Sequence, residues 1–171
     1  MAGRRVSVQL LSHPARVRTR LAAVMKLGWP EFIMVAVTMV TVVVTVLVHY
    51  EGLSLIGRAI RGRALHHRAK ILMTIFAQLA LHIGEIWVFG LAAFLLAQSA
   101  GFGAIRPAPS EGFLDFVYFS AITYTTVGFG DFVPTGPLRF LAGTEALTGF
   151  LLLTWSASFT FLEMQRHWGR D

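Results

Sequence analysis

A chain of 171 residues that is 55% hydrophobic and only 14% charged, with a mean hydropathy of +0.63, carries more apolar surface than a water-soluble fold hides. At roughly 20 residues per crossing it has room for three or four membrane spans, which excludes a multidomain enzyme. Fifteen Lys and Arg against nine Asp and Glu give a net charge of +6, and these cations sit beside apolar runs, where membrane topology explains them better than nucleic acid; the absence of cysteine excludes disulfides, thiolate metal sites and thiol nucleophiles.

Residues 1–28 hold six basic residues (Arg4, Arg5, Arg16, Arg18, Arg20, Lys26), no acid, and Pro14, a composition that does not fold alone and reads as a flexible or interfacial tail. No apolar stretch ending in a small-residue cleavage motif precedes Trp29, so a cleavable secretory signal is not expected. Residues 29–51 form the first predicted transmembrane helix, uncharged between Glu31 and Glu51 and bounded by the interfacial aromatics Trp29 and Tyr50. Its valines would favour a strand in water, but a lone strand in lipid cannot satisfy its backbone, so helix is expected. Residues 52–70 carry Arg58, Arg61, Arg63, Arg68 and Lys70 opposite a stripe of Leu53, Ile56 and Ile60, which predicts a basic amphipathic cytoplasmic linker at the interface, suited to anionic lipids. Gly57 and Gly62, with no enclosing apolar run, argue against voltage-sensing charges there.

Residues 71–99 are a second long apolar run, interrupted by His82 and Glu85, and residues 100–112 (AGFGAIRPAPSEG) break any helix. The apolar, aromatic run from Phe113 to Thr126 is too short to cross and stops at glycines, as a re-entrant half-helix does. Residues 138–164 supply the last full span, with Glu145 and Glu163 as its acids, and 165–171 form a short tail. The predicted fold class is an all-α membrane protein with three transmembrane helices and a re-entrant helix.

Between the half-helix and the last span lies Thr125-Thr126-Val127-Gly128-Phe129-Gly130-Asp131. This segment resembles the signature sequence of tetrameric potassium channels, with Phe129 where the commonest version has tyrosine. The resemblance covers residues 71–164: outer helix 71–99, turret 100–112, pore helix 113–125, filter 126–131 and inner helix 138–164. It implies that the carbonyls of Thr126, Val127, Gly128 and Phe129 line potassium sites, with the Thr126 hydroxyl at the inner mouth and Gly130 at the outer. A dehydrated cation needs rings of oxygens in place of its water, and four chains around one axis supply them. Thr125, Tyr118 and Asp131 are the implied filter supports, with the Tyr118 hydroxyl in reach of Asp131. Gly149 falls near the family's gating-hinge glycine, and close helix packing is its other reading. Many members carry a glutamate behind the filter where this chain has Ile122, so the filter must be braced differently.

Counted at 1.5 Å per residue, Glu85 lies about 21 Å into its helix and Glu145 about 10 Å from the outer end of the last one, at a shared level beside the pore helix. Two readings stand for His82, Glu85 and Glu145: a proton-sharing network that makes opening pH-sensitive, or a static brace in place of the missing glutamate. His82 and Glu85 are two ligands, too few for a metal site, and no metal beyond potassium is expected. His66 and His67 read as surface residues of the linker. A pore loop entering from outside puts the linker 52–70 and the C-terminus in the cytoplasm and the N-terminus outside, against the positive-inside rule for residues 1–28 unless translation starts nearer Met25. The expected protein is a homotetrameric potassium channel of the cell membrane that conducts passively, holds K+ ions in its filter, uses no organic cofactor or nucleic acid and is not an enzyme. A weakly selective cation channel and a non-conducting subunit with a pore fold are the alternatives.

Overall fold

The computed structural model describes residues 28–61, 66–108 and 112–168; most of the predicted tail 1–28, linker residues 62–65, turret residues 109–111 and the end of the tail 165–171 lie outside the described residues. The described chain runs α1 (Trp29–Arg61), α2 (His67–Ala97), β1 (Ile105–Arg106), α3 (Phe113–Tyr124), β2 (Val133–Pro134) and α4 (Leu138–Trp168). Three of these helices are long and apolar enough to cross a membrane, and α3 is not, so the protein has an all-α membrane fold with one short re-entrant helix.

The valine-rich α1 is helical over 33 residues, about 50 Å at 1.5 Å per residue, which exceeds a bilayer core of about 30 Å. It therefore does not end at residue 51. Residues 52–61, expected in the linker, continue α1, and Leu53, Gly57 and Ile60 extend its buried stripe. The physical reason is that Gly52 and Gly57 sit on the packed side, where a side chain at 52 would meet Leu81 and one at 57 would meet Phe159. Glycine here permits close contact without breaking the helix. The buried face of α1 also carries Thr38, Thr41 and Thr45, whose hydroxyls donate to the carbonyls of Met34, Val37 and Thr41 at 2.7, 2.8 and 2.8 Å. Each polar group is satisfied within its own helix, so a threonine face can be buried without an orphaned donor.

The helix α3 sits between α2 and α4, and the core gathers around it: Phe89, Ala93, Phe116, Phe119, Tyr124, Leu138 and Leu141 are buried in one cluster. Phe94 meets Phe113 and Phe116 edge to face at 5.4 and 5.3 Å. A Cβ on Gly90 would come within 3.1 Å of the Val117 backbone, so α2 and α3 approach closely there. Lipid supplies no hydrophobic force between helices, so this fit and the polar contacts described below hold the bundle.

The segment after α2 is tied to the segment after α3. Ile105 pairs with Pro134 and Arg106 with Val133 in an antiparallel bridge. The Thr135 amide donates to the Ala104 carbonyl at 2.8 Å and the Leu138 amide to the Phe102 carbonyl at 2.9 Å. The loop expected as a free turret thus anchors the start of α4.

Candidate functional site

The site begins where α3 ends. Thr125 caps the helix, its hydroxyl donating to the Ala121 carbonyl at 2.6 Å. The Thr126 amide then donates to Thr123 at 2.9 Å and the Gly128 amide to the Ile122 carbonyl at 3.0 Å, which folds the following strip back against the helix end. Ile122, the position where a glutamate was looked for, thus braces the strip through its backbone.

Along the strip, φ is positive at Thr126 (60°), Gly128 (54°) and Gly130 (82°), while Val127 and Phe129 between them are not in that region. Alternation of this kind turns successive peptide groups so that their carbonyls face one side, unlike a β-strand, where they alternate. Glycine takes such angles freely; Thr126 is β-branched and carries strain of about 1–3 kcal/mol. Residues 125–131 are all exposed, Val127 by 55% and Phe129 by 72%, and no charged side chain lies between Asp115 and Asp131. Between Thr125 and Gly130 the strip offers a cation backbone oxygens and the two threonine hydroxyls, with no charged side chain.

At the far end of the strip the Tyr118 hydroxyl donates to Asp131 at 2.7 Å, and Asp131 also accepts from the Phe132 amide at 3.0 Å. The bond from Tyr118 holds the Asp131 carboxyl below its usual range, and the same bond raises the tyrosine.

Two polar clusters stand behind the strip, one on each of two successive turns of α3. On the first, the Ser120 hydroxyl lies 2.8 Å from the Ile86 carbonyl and also bonds Glu145, whose other oxygen is buried without a partner among the described residues. Serine has one proton for these two acceptors, so the second bond needs a protonated Glu145 that donates to Ser120. On the second turn, Tyr124 donates to Glu85 Oε2 at 2.5 Å. His49 Nδ1 lies 2.8 Å from Glu85 Oε1, and His82 Nδ1 lies 3.0 Å from Glu85 Oε2 and 3.0 Å from Tyr124 Oη. His82 Nε2 meets Ser156 Oγ on α4 at 2.9 Å. A carboxylate only accepts, so both rings present Nδ1–H to it, and Ser156 donates to His82. The expected single network of His82, Glu85 and Glu145 is therefore two: Glu145 faces Ser120, one turn along α3 from the Tyr124 that holds Glu85.

Gly149 lies where α4 crosses the end of α3. A Cβ there would fall 2.1 Å from the Tyr124 carbonyl oxygen. Of its two readings, hinge or close packing, this contact favours packing.

An exposed strip of alternating positive φ lies between a short helix and a full span, and the model of a family described as ion channel matches residues 81–166. The chain belongs to this ion channel family. The match bears out the resemblance to potassium-channel pores read from residues 125–131. Two relatives of the chain are Inward rectifier potassium channel Kirbac3.1 of Paramagnetospirillum magnetotacticum, 38% identical over 76 residues, or 44% of this chain and 26% of that one, and Protein LctB of Geobacillus stearothermophilus, 32% identical over 66 residues, or 34% of this chain and 49% of that one. The chain thus spans about a quarter and about half of these relatives. No solved structure matches it significantly.

Within these clusters, sequence reasoning missed His49, Ser120, Tyr124 and Ser156. A signal for His49 was present: it continues the stripe of Thr38, Thr41 and Thr45 at helical spacing, and so had to face the packed side. Nothing local marked the other three.

Proposed function

We propose that the chain forms a homotetrameric, potassium-selective channel of the cell membrane, passing K+ through rings of carbonyls from Thr126, Val127, Gly128 and Phe129, with Gly130 at the outer mouth. The observation that carries this reading is the alternation of positive φ at Thr126, Gly128 and Gly130 on an exposed, uncharged strip. Aligned carbonyls replace the water shell of a cation, and four copies are needed to surround it. The relative Kirbac3.1 is a potassium channel, which supports the choice of ion. Filter and Asp131 face the outside in this reading, the C-terminus and the Arg58, Arg61, Arg68 and Lys70 region face the cytoplasm, and that basic region meets anionic lipid. The conduction is passive and involves no catalytic step, organic cofactor or nucleic acid.

The test is the reversal potential of purified protein in liposomes under a potassium gradient opposed by sodium. A value near the potassium equilibrium potential is expected. A value near zero gives a weakly selective cation channel, the outcome toward which Phe129 points, since it lacks the phenolic hydroxyl that commonly ties the filter to the helix behind it. Absence of unitary currents gives a non-conducting subunit.

A further inference from the structure

The cluster around Glu85 lies outside the ion path and joins helix α1, which precedes the matched family region, to the pore. His49 from α1 and His82 and Glu85 from α2 are all buried, and one ligating atom from each lies within 4.8 Å of the others. We propose that His49, His82 and Glu85 form a binding site for a divalent transition-metal ion of the zinc type, which pins α1 to the pore domain.

The donor set selects the class of ion. Two imidazoles and one carboxylate suit zinc and its first-row neighbours, whereas calcium and magnesium prefer oxygen alone, and three protein ligands leave a fourth position for water. The spacing is close to what is required. A tetrahedral ion with bonds of about 2.0–2.1 Å holds its ligand atoms about 3.3 Å apart. Here His49 Nδ1 lies 2.8 Å from Glu85 Oε1 and His82 Nδ1 3.0 Å from Glu85 Oε2, with the three ligating atoms within 4.8 Å of one another, so an ion held by one carboxylate oxygen requires the rings to shift by about half an ångström or more. Supporting partners are in place as well. Metal-bound histidine needs a partner for its second nitrogen, and Ser156 Oγ sits 2.9 Å from His82 Nε2. A hydroxyl both donates and accepts, so Ser156 serves the tautomer that bonds Glu85 and the tautomer that bonds a metal. His49 differs from His82 in this: its Nε2 is buried with no partner among the described residues, so the ring reaches an ion by giving up its one bond to Glu85 and has no protein partner for its second nitrogen. Tyr124 can keep its bond to the second carboxylate oxygen.

The site also has a way in. His82 forms part of the wall of a groove of about 450 Å³ between α2 and α4, together with Gln78, Ser156 and Thr160. Gln78 donates to the Ser156 carbonyl at 3.1 Å and accepts from Thr160 at 2.6 Å, which gives an ion polar footing along that route.

The experiment is calorimetric titration of the purified full chain with zinc chloride, with thermal unfolding in the same buffer. One zinc per chain and a rise in the unfolding midpoint are expected. His49→Gln and Glu85→Gln are expected to weaken binding about tenfold or more, while Glu145→Gln, in the other cluster, and His66→Gln, in the linker region, leave it unchanged. Absence of stoichiometric binding to the wild-type chain overturns the proposal, as does binding that survives His49→Gln and Glu85→Gln. Should those variants fail to fold, X-ray absorption at the zinc edge of the loaded wild-type protein decides: scattering from two imidazoles supports the site, and its absence overturns it. None of these readouts depends on current, so they stand apart from the test of conduction.

Discussion

At the scale of single residues, the Asp131 end of the strip is held by the Tyr118 hydroxyl and the Phe132 amide. Tyr118 holds the Asp131 carboxyl low and is itself raised by it. A lowered carboxyl contributes stability above its unfolded value, near 3.9, and loses it as pH falls through the lower folded value. The tyrosine contributes below its unfolded value, near 10, and loses that as pH rises through its raised one. Tyr118→Phe is therefore expected to move the Asp131 titration up toward the ordinary aspartate range, read by NMR or infrared titration; an unmoved carboxyl would show that Tyr118 does not set it. Glu145 gives a second prediction. Gln supplies the donor that Ser120 requires, so Glu145→Gln should change stability by less than about 1 kcal/mol, while Glu145→Ala leaves a buried group unpaired and should cost about 1–3 kcal/mol. Thermal unfolding of both variants separates them, and equal losses would refute a protonated Glu145.

Among the elements, the tightest crossing is that of α4 over the end of α3 at Gly149. Gly149→Ala places a methyl 2.1 Å from the Tyr124 carbonyl, which a helix cannot relieve by turning a side chain. The expected cost is about 1–3 kcal/mol of overpacking, with a displaced filter entrance. Thermal unfolding and single-channel recording check this, and a variant of normal stability with altered gating alone would restore the hinge reading. The element scale is also where the sequence stopped being legible. The number and order of the long helices followed from apolar runs, and the strip 125–131 was readable because its chemistry is local to seven consecutive residues. The depth of Glu85 and Glu145 followed from counting. Their division between Tyr124 and Ser120 did not, because these two stand one turn apart on the same face of α3, and nothing in a 12-residue, largely apolar helix reveals how far along its neighbours it sits. His49 was visible as a polar residue at a helix end, yet its partner lies 36 residues away on another helix. The length of α1 was missed because a basic, glycine-containing segment reads as a linker while its packing keeps it helical.

For the whole molecule, one chain is incomplete as a conduit. The strip from Thr125 to Asp131 is exposed along its whole length in a single copy. Closing a path requires copies arranged around an axis, and the pore-loop arrangement predicts four. Native mass spectrometry of protein released from detergent should show four chains of 18.9 kDa. A dimer or monomer as the largest species would remove the homotetramer from the functional reading.

The threonine stripe of α1 carries a consequence for handling the protein. On most helices of water-soluble proteins the greasy side meets the protein and the polar side meets the surroundings, but α1 reverses this: Thr38, Thr41, Thr45 and His49 are buried, and Val40, Val44, Leu47 and Val48 are exposed. Partner recognition and immersion in lipid are thus written on opposite sides of one helix in opposite chemistries. Residues on the outward side could be recoloured with lysine and glutamate, to make α1 tolerate water, without touching a group by which it recognises the rest of its own chain.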